Sequence, residues 1–250
     1  MLLIFAIFMI FYTVCITYEV FYSKKHNLNL YKKKDSLVNI TLGSVVVATH
    51  LLFQGFWILG WSTIEKYSIF KINDSILIWV TLFIFHEFVY YWIHRFSHSF
   101  RILWAIHVNH HSSKLFNFTT ASRLPVFMFL VMFVFWSPLI LLGFSPYMVF
   151  VVSNTGFMLT AFQHTTVFGR VPFLEYIFVS PSHHKVHHAS NPEYINRNFG
   201  AVLIIFDRLF GTFKEESVNT PIEYGLTTNI KSENPIKVIF HEWIDIFSNR

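Results

Sequence analysis

Charge is scarce in this chain: Asp, Glu, Lys and Arg make up 13% of the 250 residues, against 54% hydrophobic and 20% aromatic, and the mean hydropathy is +0.47. Too few polar side chains remain to cover a water-soluble globule of this size, so a bilayer must solvate much of the surface. Cysteine is nearly absent as well. Cys15 stands alone inside an apolar run, which excludes an intrachain disulfide and a disulfide-stapled extracellular fold and leaves it a packing or lipid-facing role. The sequence has no internal repeat, low-complexity tract or linker, so it reads as a single domain over residues 1–250. It also lacks a flavin, haem or ferredoxin motif, and electrons for any redox reaction must come from a partner protein or a diffusible reductant. The net charge of +5 and pI near 9.2 do not call for nucleic acid. The basic residues sit beside apolar runs, where anionic lipid headgroups are the nearer counter-charge.

What is present is a series of long apolar runs. Met1 to Tyr22 suffices to cross a hydrocarbon core, and without a basic start or a small-residue cleavage site it is expected to be an anchor helix rather than a removed signal. Lys24, Lys25, Lys32, Lys33 and Lys34 follow in one short loop, which places that loop in the cytoplasm and the N-terminus outside. Further spans are expected at about Leu37–Trp61 and Ser75–Trp92. Pro125–His164 is too long for one crossing, and Gly143-Phe144-Ser145-Pro146 supplies the turn of a helical hairpin. The expectation is an all-α integral membrane protein of about five transmembrane helices with a cytoplasmic, histidine-rich helical cap. Residues 1–74 form N-terminal spans, 75–213 the core and 214–250 a tail. In that tail Ile236, Ile239, Phe240, Trp243 and Phe247 recur at helical spacing, as in an amphipathic helix on the membrane or on the rest of the fold.

Histidine is the unusual excess: ten of the 14 fall between His94 and His188. His94 and His98, four apart, share one face of a helix, close enough for one metal ion to bridge. His107, His110 and His111 form a His-x-x-His-His set whose members share a face but splay to either side, so the triplet can serve two ions. His184, His187 and His188 repeat the pattern, with Ser180-Pro181 as a helix start and Asn191-Pro192 as a stop. A buried imidazole cluster without a metal would leave many ring nitrogens unpaired. Outside these sets the ordinary readings prevail: His26 is solvated, His50 packs within a span and His241 belongs to the terminal helix, while His86, two turns before His94, and His183 are left unassigned. Along the third span about 26 Å of helix precedes His94, which puts the cluster at the membrane interface.

Tyr90-Tyr91-Trp92-Ile93-His94-Arg95-Phe96-Ser97-His98, Leu103-Trp104 with His107-Val108-Asn109-His110-His111, and Pro181-Ser182-His183-His184-Lys185-Val186-His187-His188 resemble the histidine boxes of the fatty acid hydroxylase and sterol desaturase superfamily. Asn191, Tyr194, Asn198-Phe199-Gly200 and Asp207-Arg208-Leu209-Phe210-Gly211-Thr212-Phe213 are similar to its closing signature, so the resemblance runs from Glu87 to Phe213. Within the superfamily the wording is nearest to alkylglycerol monooxygenase and bacterial sterol desaturase-like proteins.

The resemblance implies a non-haem di-iron oxygenase that uses O2 to hydroxylate or desaturate a lipid such as an ether lipid, sterol or fatty acyl chain. Its two iron ions would be held by the three sets plus an isolated histidine, the part that His164 fits. Asp207 and Glu87 become candidates to accept the free ring N–H of a ligand histidine. Asn117 and Arg123 become candidates for site support or substrate headgroup contact. Kinship with alkylglycerol monooxygenase would imply a tetrahydropterin as reductant. Glu87 stands where the family usually has aspartate, and Phe199 and Phe206 where tyrosine and tryptophan are common. The rival readings are a histidine-rich membrane metal carrier, which needs ligands along a continuous path, and a b-type haem protein, which leaves most of the cluster unexplained.

Overall fold

A computed structural model of the chain describes residues 2–168, 170 and 172–248. Met1 of the expected anchor and residues 249 and 250 of the expected tail lie outside the described residues. The described chain is helical, with two isolated antiparallel bridges, Phe178 with Leu203 and Ala189 with Tyr224, as its extended pairings.

Among the described residues three helices are long and apolar enough to cross a membrane: α1 (Leu2–Lys25), α2 (Lys33–Glu65) and α3 (Ile76–Ser99). Their outward side chains, among them Leu52, Phe56 and Leu59 on α2 and Leu77 and Val80 on α3, are exposed apolar groups, consistent with a surface that faces lipid. The third helix starts as expected, with the Ser75 hydroxyl accepting from the Ile78 N–H, but it continues past Trp92 to Ser99. Nothing in Ile93–Ser99 breaks a helix, so one rigid rod carries His94 and His98 beyond the apolar stretch.

The hairpin is present as α6 (Met128–Leu142) and α7 (Pro146–Ala161). Gly143 closes α6 at φ 110°, and a side chain there would meet the Phe70 carbonyl oxygen at 2.2 Å, so both backbone angle and space require glycine. Ser145 caps α7 and Pro146 opens it. These helices have 15 and 16 residues, about 23 Å each, short of a hydrocarbon core of about 30 Å. Among the described residues three helices are therefore long enough to span by length alone. The main core, with Trp61, Leu82, Ile93, Trp136, Ile140 and Val149, lies between α2, α3, α6 and α7.

Four shorter helices carry or adjoin the histidine sets: α4 (Arg101–His111) and α9 (Ile205–Leu209), which pack on α3, α5 (Phe118–Ala121), which packs on α1, α2 and α7, and α8 (Pro181–His187). Only Phe100 separates α3 from α4, so the chain folds sharply back on itself there. The tail helix α10 (Pro235–Phe247) packs on α4 and α2, burying Val238, while Ile236, Ile244 and Phe247 stay exposed.

Candidate metal centre

Each histidine set arrives on an element whose local sequence fixes it. His94 and His98 lie on α3, His107, His110 and His111 on α4, and His164 just past α7. On α8 the Ser180 side chain accepts from the His183 N–H, and the Ser180 N–H donates to the His183 ring at 3.4 Å. His183 is thus used as a cap residue, while His184 and His187 project from α8 and His188 closes it.

The nine histidines converge as two groups, His94, His98, His107, His111 and His187 in one and His110, His164, His184 and His188 in the other. Within each group one ring nitrogen from every member lies within 4.8 Å of the rest, so both clusters are capable of coordinating a metal ion. Eight of the nine are buried and His98 is half-buried. The groups adjoin, with the His111 and His188 rings stacked at 4.4 Å.

The hydrogen bonds say which nitrogen is free. Nδ1–H of His94 donates to the Phe199 carbonyl at 2.8 Å, that of His110 to Arg123 at 3.0 Å, that of His164 to Thr160 at 3.1 Å and that of His187 to Arg197 at 2.9 Å. A carbonyl only accepts, so the proton is fixed on Nδ1 and Nε2 is left as a bare lone pair. His110 and His164 therefore face each other with two lone pairs 3.4 Å apart. Only a shared cation makes that arrangement favourable. Other Nε2 neighbours lie 3.0–3.1 Å apart, matching the roughly 3 Å between two ligands at right angles about 2.1 Å from one ion. Nε2 of His98 and His187 and Nδ1 of His107 and His184 are buried without a protein partner.

Burial pushes the imidazolium forms of His107, His111, His164, His184, His187 and His188 well below the ordinary histidine range. His110 is pushed down to about 4, chiefly by burial and further by the Arg123 charge, while its carbonyl hydrogen bond pulls the other way. These imidazoles are neutral near pH 7, the form that binds metal. The donor set, its burial, its protonation state and its orphaned nitrogens all fit a pair of transition-metal ions.

A family model described as fatty acid hydroxylase matches residues 79–212, a segment that holds all nine histidines. The chain belongs to this family. Among curated relatives it is 39% identical to the alkylglycerol monooxygenase of Homo sapiens over 86% of this chain and 48% of that protein. It is 44% identical to that of Danio rerio over 62% of this chain and 34% of that protein. It is also 30% identical to an ornithine lipid hydroxylase of Rhizobium tropici over 58% of this chain and 44% of that protein. The chain thus spans at most about half the length of these curated relatives. No solved structure matches it. Its fold and histidine clusters are consistent with a non-haem di-iron oxidoreductase of the fatty acid hydroxylase family.

The side chains of Asp207, Glu87, Asn117 and Arg123 hydrogen-bond elsewhere than to the nine histidine rings. Asp207, which burial pushes toward the neutral form, accepts from the Phe199 and Gly200 N–H groups and the Thr212 hydroxyl, each at 2.7 Å, and not from a ligand ring. It acts one step away, by fixing the loop whose Phe199 carbonyl orients His94. Glu87 likewise takes the Val202 and Leu203 N–H groups at 2.8 Å, with its other oxygen 3.4 Å from His86. Asn117 caps α5 and donates to the Leu30 carbonyl. Each nitrogen of the Arg123 guanidinium donates once, Nε to Asn39, Nη1 to Ser112 and Nη2 to Asp35. Both are buried.

Of the unassigned histidines, His86 lies buried against Trp136, its ring stacked at 4.3 Å, with no hydrogen bond to either nitrogen and Glu87 3.4 Å from Nδ1. A cleft of about 530 Å³ reaches the centre, with His98, His111, His187 and His188 on its floor and Trp104, Val108, Leu226, Arg101, Glu242 and Asp245 on its walls. Sequence reasoning missed Asp35, Asn39 and Glu19. Glu19 alone left a signal, as the single acidic side chain inside an otherwise apolar run.

Proposed function

We propose that this chain is a multi-pass membrane di-iron oxygenase that hydroxylates or desaturates a C–H bond of a lipid, with an ether lipid as the first substrate to test. The nine histidines are its metal ligands, iron is the metal, and the active site lies on the cytoplasmic face. In this reading α6 and α7 each cross the bilayer as well, where it thins to their length, and with the three longer spans they give about five crossings. The observation that carries the reading is the opposed pair of bare Nε2 lone pairs on His110 and His164, each locked by a backbone carbonyl, within a buried group of four. Support for the lipid comes from the relatives named alkylglycerol monooxygenase and ornithine lipid hydroxylase.

When bound, the iron pair supplies the oxidising power toward O2 and C–H bonds that no amino-acid side chain has. Hydroxylation consumes the lipid C–H, O2, two electrons and two protons and returns the alcohol and water, so an external reductant is required. A tetrahydropterin or an electron-donor protein would fill that place. The protein's own contribution is geometric. The carbonyls of Phe199, Arg123, Thr160 and Arg197 hold four rings in one tautomer and orientation. Trp104, Val108 and Leu226 give the cleft an apolar wall for a lipid chain and limit water at its floor. The test is comparative lipidomics of cells with and without the gene. A lipid shifted by one oxygen or two hydrogens names substrate and reaction; an unchanged lipidome, with metal flux in proteoliposomes carrying the protein, rejects the oxygenase in favour of a metal carrier.

A further inference from the structure

Glu19 lies fully buried near the inner end of α1, outside the segment 79–212 that matches the family. Three groups donate to its carboxylate: the Tyr31 hydroxyl, the Thr165 hydroxyl and, at 2.8 Å, the Phe118 N–H. On the same helix the Tyr12 hydroxyl donates to the Phe118 carbonyl, so α1 grips that residue on both its polar groups. Thr165 directly follows His164. Phe118 opens α5, the short helix that leads into Arg123, and the Arg123 carbonyl orients His110. Both segments gripped by Glu19 thus carry or orient members of the four-histidine group. The five-histidine group takes its carbonyl supports from Phe199 and Arg197 instead.

We infer that Glu19 is a positioning residue that sets the metal affinity of the group formed by His110, His164, His184 and His188, and not that of its neighbour. The inference rests on the proposed reading of both groups as iron sites. Losing an outer support of a ligand lowers metal affinity by about 10–100-fold. A helix outside the histidine-box segment then decides whether one of the two ions is retained.

The experiment is iron(II) loading of the purified full chain without O2, followed by competition with a chromophoric chelator. Wild type is expected to hold about two ions, and Glu19→Ala to hold one of them about 10–100-fold more weakly with the other unchanged. On a His184→Ala background the same substitution adds no further loss, whereas on a His98→Ala background it weakens the ion that remains. Thr165→Val, which removes one hydroxyl from the carboxylate, moves the affinity in the same direction by less and serves if Glu19→Ala does not fold. Retention of both ions at wild-type affinity in both variants, or equal weakening of both ions, overturns the inference and leaves the metal reading intact. A wild-type chain that binds no iron overturns the metal reading and this inference together.

Discussion

The two histidine groups share helices α4 and α8 but are fastened from different parts of the chain. Helix α4 gives His107 and His111 to one group and His110 to the other, and α8 gives His184 and His188 to one and His187 to the other, so each i, i+4 pair stays together while the i+3 residue crosses over. The five-histidine group is braced by the 197–212 segment, through Asp207 on α9 and the Phe199 carbonyl. The four-histidine group is braced by α1 and α2, through Glu19 and through Asp35 and Asn39 on Arg123. Spacing along a helix therefore divides the ligands, whereas distant buried carboxylates and carbonyls hold each half in place.

That contrast can be broken at several points. The largest effects belong to the rings themselves: His187→Ala and His184→Ala should each cost more than about a hundredfold in turnover, beyond what an outer support contributes, and each should empty a different group. Retention of both ions by either variant, measured by iron analysis, would erase the division. Arg123→Ala comes next. It leaves Asp35 and Asn39 without their buried donor and is expected to cost about 3–5 kcal/mol in denaturant unfolding of the detergent-solubilised protein, with weaker iron binding in the four-histidine group only. Asp207→Ala should mirror it on the other side. It strands two N–H groups and a hydroxyl, at a cost of about 2–4 kcal/mol by the same unfolding assay, and lowers iron affinity of the five-histidine group by about 10–100-fold. Glu242→Gln is the control: its pair with Arg101 is partly exposed, so stability should fall by less than about 1 kcal/mol and iron content should not change.

The helical spacing of the histidines was legible in the sequence because a 3.6-residue period fixes which rings share a face, and the His-x-x-His-His splay already lets one triplet serve two ions, while the division of His110 from His107 and His111 came with the structure. The hairpin was legible for a similar reason, since Gly143, Ser145 and Pro146 have local backbone roles. The work of Asp207 and Glu87 was not. A carboxylate near a histidine motif points to a direct hydrogen bond, but here both acids act through loop N–H groups brought near by tertiary packing. Glu19 was passed over because hydropathy averages one acid away within an apolar run, and its partners Tyr31, Phe118 and Thr165 lie 12 to 146 residues off in sequence. The number of crossings was also beyond pattern alone, as a turn splits Pro125–His164 into helices too short to be assigned by length.

Elemental analysis of the purified full chain tests the central claim most directly. The account predicts about two iron ions per chain, falling to about one when a ligand of either group is replaced and to none when one ligand of each is replaced. A preparation that carries no metal and still oxidises its lipid at the full rate would contradict it.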